Sequence, residues 1–126
     1  MKRLSAILGL LPAVLGSMHV RAAEVGNLKV LYVGEPSTSR RAKQVTGFIG
    51  QHVDKIESVD RHAFKQPQAD GFDVVVLDWP QSDKTEQERQ QPAPLGARAT
   101  WTKPTVLLGS AGLNMAIVWK VRGGSG

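Results

Sequence analysis

Apolar and polar positions change their period along the chain, and each change marks an element. Residues 27–34 (NLKVLYVG) form a β-branched-rich apolar run ending in Gly, which predicts a buried strand. Pro36, Ser37, Thr38 and Ser39 then supply a turn with several candidate helix N-caps. Beyond them Ala42, Val45, Ile49 and Val53 recur at a spacing that puts them on one stripe of a helix. Gly47 and Gly50 each weaken that helix by about 1 kcal/mol relative to Ala, so packing must compensate. Residues 55–59 predict a short strand, and residues 62–70 a polar connection broken by Pro67.

Residues 72–79 (FDVVVLDW) give the clearest strand, and their continuous apolar centre suits a parallel strand covered on both faces. A long, mostly polar connection follows over residues 80–103. Asp83 and Glu86 within it have the spacing of a capping box, so residues 84–91 predict a short helix ended by Pro92 and Pro94. A connection of this length in a compact domain is expected to be functional or mobile. Residues 104–108 predict another strand and residues 109–112 a tight turn. Residues 113–121 (LNMAIVWKV) predict a helix apolar nearly all round, hence buried. The succession reads as an α/β domain: an open parallel sheet with flanking helices, in the three-layer, flavodoxin-like manner. Four strands make a narrow sheet, and the Gly-rich stretch at 123–126 reads as a connection onward. Residues 23–126 are therefore expected to be the incomplete N-terminal part of a longer domain.

The first 22 residues differ from the rest. Lys2 and Arg3 precede an apolar stretch over residues 4–16, and Val20-Arg21-Ala22 has the small or tolerated residues of a cleavage site before Ala23. The stretch is shorter than the roughly 20 apolar residues that span a bilayer. Residues 1–22 are thus expected to be a signal peptide, and the mature chain to be exported, periplasmic or secreted, with no stable membrane span after cleavage. This changes the charge picture. The formal net charge of +5 includes Lys2, Arg3 and Arg21, and without them only a small positive excess remains. Arg40, Arg41 and Lys43 then read as a solvated helix face, not a nucleic-acid surface. The absence of cysteine excludes a disulfide framework, a cysteine-ligated zinc or iron–sulfur site and a thiol nucleophile.

Open parallel sheets gather ligands at the carboxyl ends of their strands. Here that edge offers Glu35 and Ser37 after the first strand, Asp78 and Trp79 after the third, and Gly109, Ser110 and Gly112 after the fourth. These seven are the candidate ligand-binding residues. Ser110 sits on a sharp turn between glycines, as a nucleophile elbow would, but Leu108 occupies the first Gly place of G-x-S-x-G. No base is in view: His19 lies in the leader, His52 on the first helix, and His62 is expected at the opposite end of a strand. Ser110 reads first as the cap of the following helix, and otherwise as a hydroxyl or backbone amide that contacts a ligand at the helix N-terminus. Asp78 reads as a phosphoacceptor, a metal ligand or a polar end-stop. With Glu35 it makes two carboxylates, too few to argue for a metal. No phosphate-cradling glycine motif follows the first strand. Neither a metal nor a cofactor is predicted. Trp79 and Trp101 bracket the long connection, either to stack on a flat ligand such as a sugar or to anchor the loop on the core, while Trp119 is expected in the core.

Residues 29–34, residues 71–77 (GFDVVVL) and residues 103–112 (KPTVLLGSAG) together resemble the class I glutamine amidotransferase-like fold, and within it the trehalose-utilisation (ThuA-like) family. The resemblance covers about the N-terminal half of such a domain. It implies an exported domain that binds or acts on a carbohydrate-related small molecule. Ser110 stands where amidotransferases carry their nucleophilic cysteine, and Gly109 where ThuA-like proteins often have histidine, so catalysis does not carry over. One alternative is a non-catalytic binding or structural domain. Another is a receiver-like domain, with Asp78 resembling the phosphoacceptor and Ser110 the hydroxyl residue that reports it. For that, only Glu35 remains of the acidic pair after the first strand. The oligomeric state is left open.

Overall fold

The computed structural model describes residues 24–80 and 93–121. The signal peptide expected over residues 1–22, the helix expected over residues 84–91 with its Asp83–Glu86 box, and the Gly-rich stretch at 123–126 lie outside them. After a 3-10 turn at Glu24–Asn27, the chain runs through β1 (Lys29–Gly34), α1 (Arg40–Ile49), β2 (Lys55–Asp60), β3 (Val74–Asp78), β4 (Thr105–Leu108) and α2 (Ala111–Val118). The strands form one four-stranded sheet in the order β2-β1-β3-β4, and every pairing is parallel. The protein has the expected α/β open-sheet fold.

Side chains alternate between the two faces of a strand, and the two faces of this sheet carry separate cores. Val30, Tyr32 and Val76 pack on one face against Ala42, Val45 and Ile49 of α1, with Val53 and Ile56 beyond it. Leu31, Val33, Val75 and Leu77 fill the other face with Phe64, Phe72, Trp79, Leu95 and Met115. This double cover explains the continuous apolar runs of β1 and β3, which occupy the centre of the sheet. The predicted stripe of α1 is the stripe that packs. Of the candidate caps Ser39 serves, its hydroxyl accepting the Ala42 amide at 3.0 Å. The helix ends at Ile49, so Val53 reaches the core from the turn that follows.

Two expectations need correction. Helix α2 starts at Ala111 and buries only Ala111, Asn114 and Met115. Leu113 and Ile117 stay 58% and 57% exposed, because the sheet lies beneath one side of the helix only. The second part of the long connection is packed, not loose. Leu95 is buried in the core. The Gln66 side-chain amide donates to the carbonyls of Leu95 (2.8 Å) and Ala97 (3.2 Å) and accepts from the Thr100 hydroxyl (2.9 Å). Gly96 passes this point at φ +79°, with a would-be Cβ 2.8 Å from Gln66 Nε2, so only glycine fits. Among the described residues, no helix is long and apolar enough to cross a membrane.

Candidate functional site

Asp78 ends β3 on the same face as Tyr32 and is fully buried. An isolated carboxylate could not stay there, since burying an unpaired charge is prohibitive. Its Oδ2 accepts the Tyr32 hydroxyl at 2.8 Å and Arg41 Nε at 2.6 Å, and its Oδ1 accepts Arg41 Nη2 at 2.7 Å. Tyr32 comes from the middle of β1 and Arg41 from the first turn of α1. Burial, and then the bond to Asp78, push the Tyr32 phenol well above its ordinary range. The bond to Asp78 likewise raises Arg41. The glycine closing β1 is required here: a Cβ on Gly34 would lie 2.4 Å from the Tyr32 ring.

This clamp gathers part of the predicted edge. Glu35 adds negative charge beside both Tyr32 and Arg41. Gly109, at φ +59°, turns the chain from β4 into α2 so closely that a Cβ there would lie 3.7 Å from Arg41 Nη2. Arg41 was expected on a solvated face, and here it is the cation that permits a buried carboxylate. The sequence held two signals for this: a tyrosine inside an aliphatic strand needs a hydrogen-bond acceptor, and an acid closing such a strand needs a cation. Tyr32 and Arg41 together bond both Asp78 oxygens, so the clamp holds α1 to the sheet.

The remaining candidates separate from it. Ser37 is exposed in the turn. Ser110 stands at the N-cap position of α2, but its side chain makes no cap bond. Gly112 lies over Leu107, with a would-be Cβ 3.7 Å from Leu107 Cδ1. Trp79 follows Asp78 directly and therefore belongs to the opposite face, where it is 3% exposed within the second core. Its carbonyl accepts Asn114 Nδ2 at 3.2 Å, tying α2 to the end of β3. Asn114 escaped the sequence reading. Its Oδ1 is buried without a hydrogen-bond partner among the described residues. Trp101 anchors the connection, edge-on to Phe64 and donating to the Thr105 hydroxyl at 2.9 Å. Trp119 packs against the core as expected and donates to the Gly96 carbonyl at 2.8 Å.

Beside Trp79 a cavity of about 490 Å³ opens, bounded by Arg61, His62, Phe64, Lys65, Trp79 and Pro94 among others. The expectation for His62 is corrected here. Because β2 runs parallel to its neighbours, the segment after Asp60 lies at the carboxyl edge, and Arg61 N–H donates to the Gly34 carbonyl at 2.7 Å. The sheet thus divides the predicted site in two, with the polar clamp on one face and the cavity on the other. No group of three or more potential metal ligands occurs among the described residues. The chain matches no family model, no curated protein and no solved structure.

Proposed function

We propose that the chain is a small-molecule-binding α/β domain of the ThuA-like, amidotransferase-like kind, taking a carbohydrate-related ligand at the carboxyl edge of its sheet. The observation that carries this reading is the cavity of about 490 Å³ beside Trp79. Its size falls within the roughly 300–1,000 Å³ of small-molecule sites, and strand ends are where open parallel sheets take ligands. Phe64, Pro67 and Pro94 give the lining an apolar part, and Trp79 bounds it from the core. Binding without turnover is the form favoured here, because Asp78 is consumed by Tyr32 and Arg41. The same occupancy weighs against phosphoacceptance by Asp78. The leader-like residues 1–22 support export.

The test is tryptophan emission while neutral and acidic sugars are titrated into the protein. A saturable shift is expected, lost in Trp79→Phe and retained in Ser110→Ala. If no sugar perturbs the emission, the reading fails.

A further inference from the structure

The sheet ends on two unlike edges. Along β2 stand the charged Lys55, Glu57 and Asp60, and Lys55 pairs with Glu57 at 2.7 Å. Charges of this kind keep an open edge from recruiting another strand. The opposite edge, β4, carries none: its residues are Thr105, Val106, Leu107 and Leu108, and no charged residue occurs between Lys103 and Lys120. Val106 and Leu107 are 48% and 43% exposed. They lie on opposite faces of the sheet, Val106 level with Val76 and Leu107 with Leu77. Backbone groups point outward too. The Val75 amide donates to the Pro104 carbonyl, and alternate residues of a parallel strand face its neighbour, so Thr105 and Leu107 turn theirs away from β3. Leu113 and Ile117 continue the apolar surface along the outer side of α2.

We propose that β4 pairs with β4 of a second copy of this chain, antiparallel about a twofold axis, joining two four-stranded sheets into one. A strand is complementary to itself in that arrangement, because the axis sets outward N–H groups opposite outward C=O groups of the copy. With Val106 opposite its counterpart, Thr105 and Leu107 fall into hydrogen-bonding register. The same axis leaves α2 of both copies on one side of the joined sheet, where Leu113 and Ile117 approach their counterparts. Charge favours a second copy as the occupant. The chain is net positive, so two copies repel over much of their surface, but at this uncharged end they meet without opposing like charges. A charged partner would find no counter-charge on β4 or α2.

The experiment is sedimentation velocity of the full chain over a range of concentrations, with a dye for apolar surface as the second readout. The chain should pass from monomer to dimer as concentration rises. Dye bound per chain should fall over the same range, because dye and copy compete for one surface. Val106→Lys sets two lysines against each other across the axis and should weaken association by about tenfold or more. Leu113→Lys with Ile117→Lys leaves β4 untouched and should weaken it too. A melting transition in each variant shows that it is folded, and the helix pair decides the matter if Val106→Lys does not fold. A chain that stays monomeric throughout would overturn the proposal. So would a dimer that survives Val106→Lys in folded protein, as one formed through the apolar residues 4–16 would.

Discussion

Tyr32 is the single tyrosine of the chain, and its hydroxyl is committed to the buried Asp78. Ionising the phenol would place two negative charges together in a buried site, which is why its pKa is raised, with desolvation the larger cause. The sign of the pH dependence follows. Above about pH 10 the unfolded chain loses the phenolic proton while the fold keeps it, so stability is intact below that pH and falls as pH rises beyond it. Ultraviolet titration should show no tyrosinate in the native protein near the ordinary tyrosine value. Denaturant melts at rising alkaline pH should lose stability, and Tyr32→Phe should remove that part of the loss. A tyrosinate signal appearing at the ordinary value without unfolding would mean that the hydroxyl is not held.

At the scale of elements, β1 depends on the residue that ends it. A methyl group at Gly34 would run into the Tyr32 ring at 2.4 Å, with no route except displacing the ring and its bond to Asp78. Gly34→Ala is expected to cost about 2 kcal/mol, within the range for overpacking. Gly26, in the turn before β1, has nothing within 4 Å of a would-be Cβ. Gly26→Ala should change stability by less than about 0.5 kcal/mol, as for surface substitutions generally. Paired urea melts check the contrast, and equal effects would show that the clamp does not govern β1.

For the whole molecule, exposed apolar surface concentrates at one end of the described chain. Val106, Leu107, Leu113, Ile117 and Val121 are each more than two-fifths exposed, and Val25 and Phe48 are the remaining large side chains of this kind. Leu113 and Ile117 lie four residues apart on the outer side of α2, Val121 follows beyond its end, and no described strand pairs with the outer edge of β4. Patches of this kind bind apolar probes. A dye that fluoresces on apolar surface should therefore bind the folded protein under native conditions. The double variant Leu113→Lys, Ile117→Lys should reduce that signal while leaving the melting transition in place, since neither side chain belongs to a core cluster. Unchanged dye binding would locate the exposed surface elsewhere.

The chain's own pattern determined the strands, the packed stripe of α1 and the parallel sheet. These rest on local periodicity, and Val30 to Val33, Val75 to Leu77 and the Ala42–Val45–Ile49 stripe carry it within short windows. Tertiary structure alone decided the site. The partners of Asp78 lie 46 and 37 residues away, and nothing in local spacing requires that Tyr32 and Arg41 meet it. The same assembly parts Asp78 from Trp79: adjacent in sequence, they fall on opposite faces because an extended chain alternates. It also brings His62 to the edge that holds Trp79, because β2 runs parallel to its neighbours. Which side of α2 stays dry depends on there being one sheet beneath it, a fact that its uniformly apolar sequence does not contain.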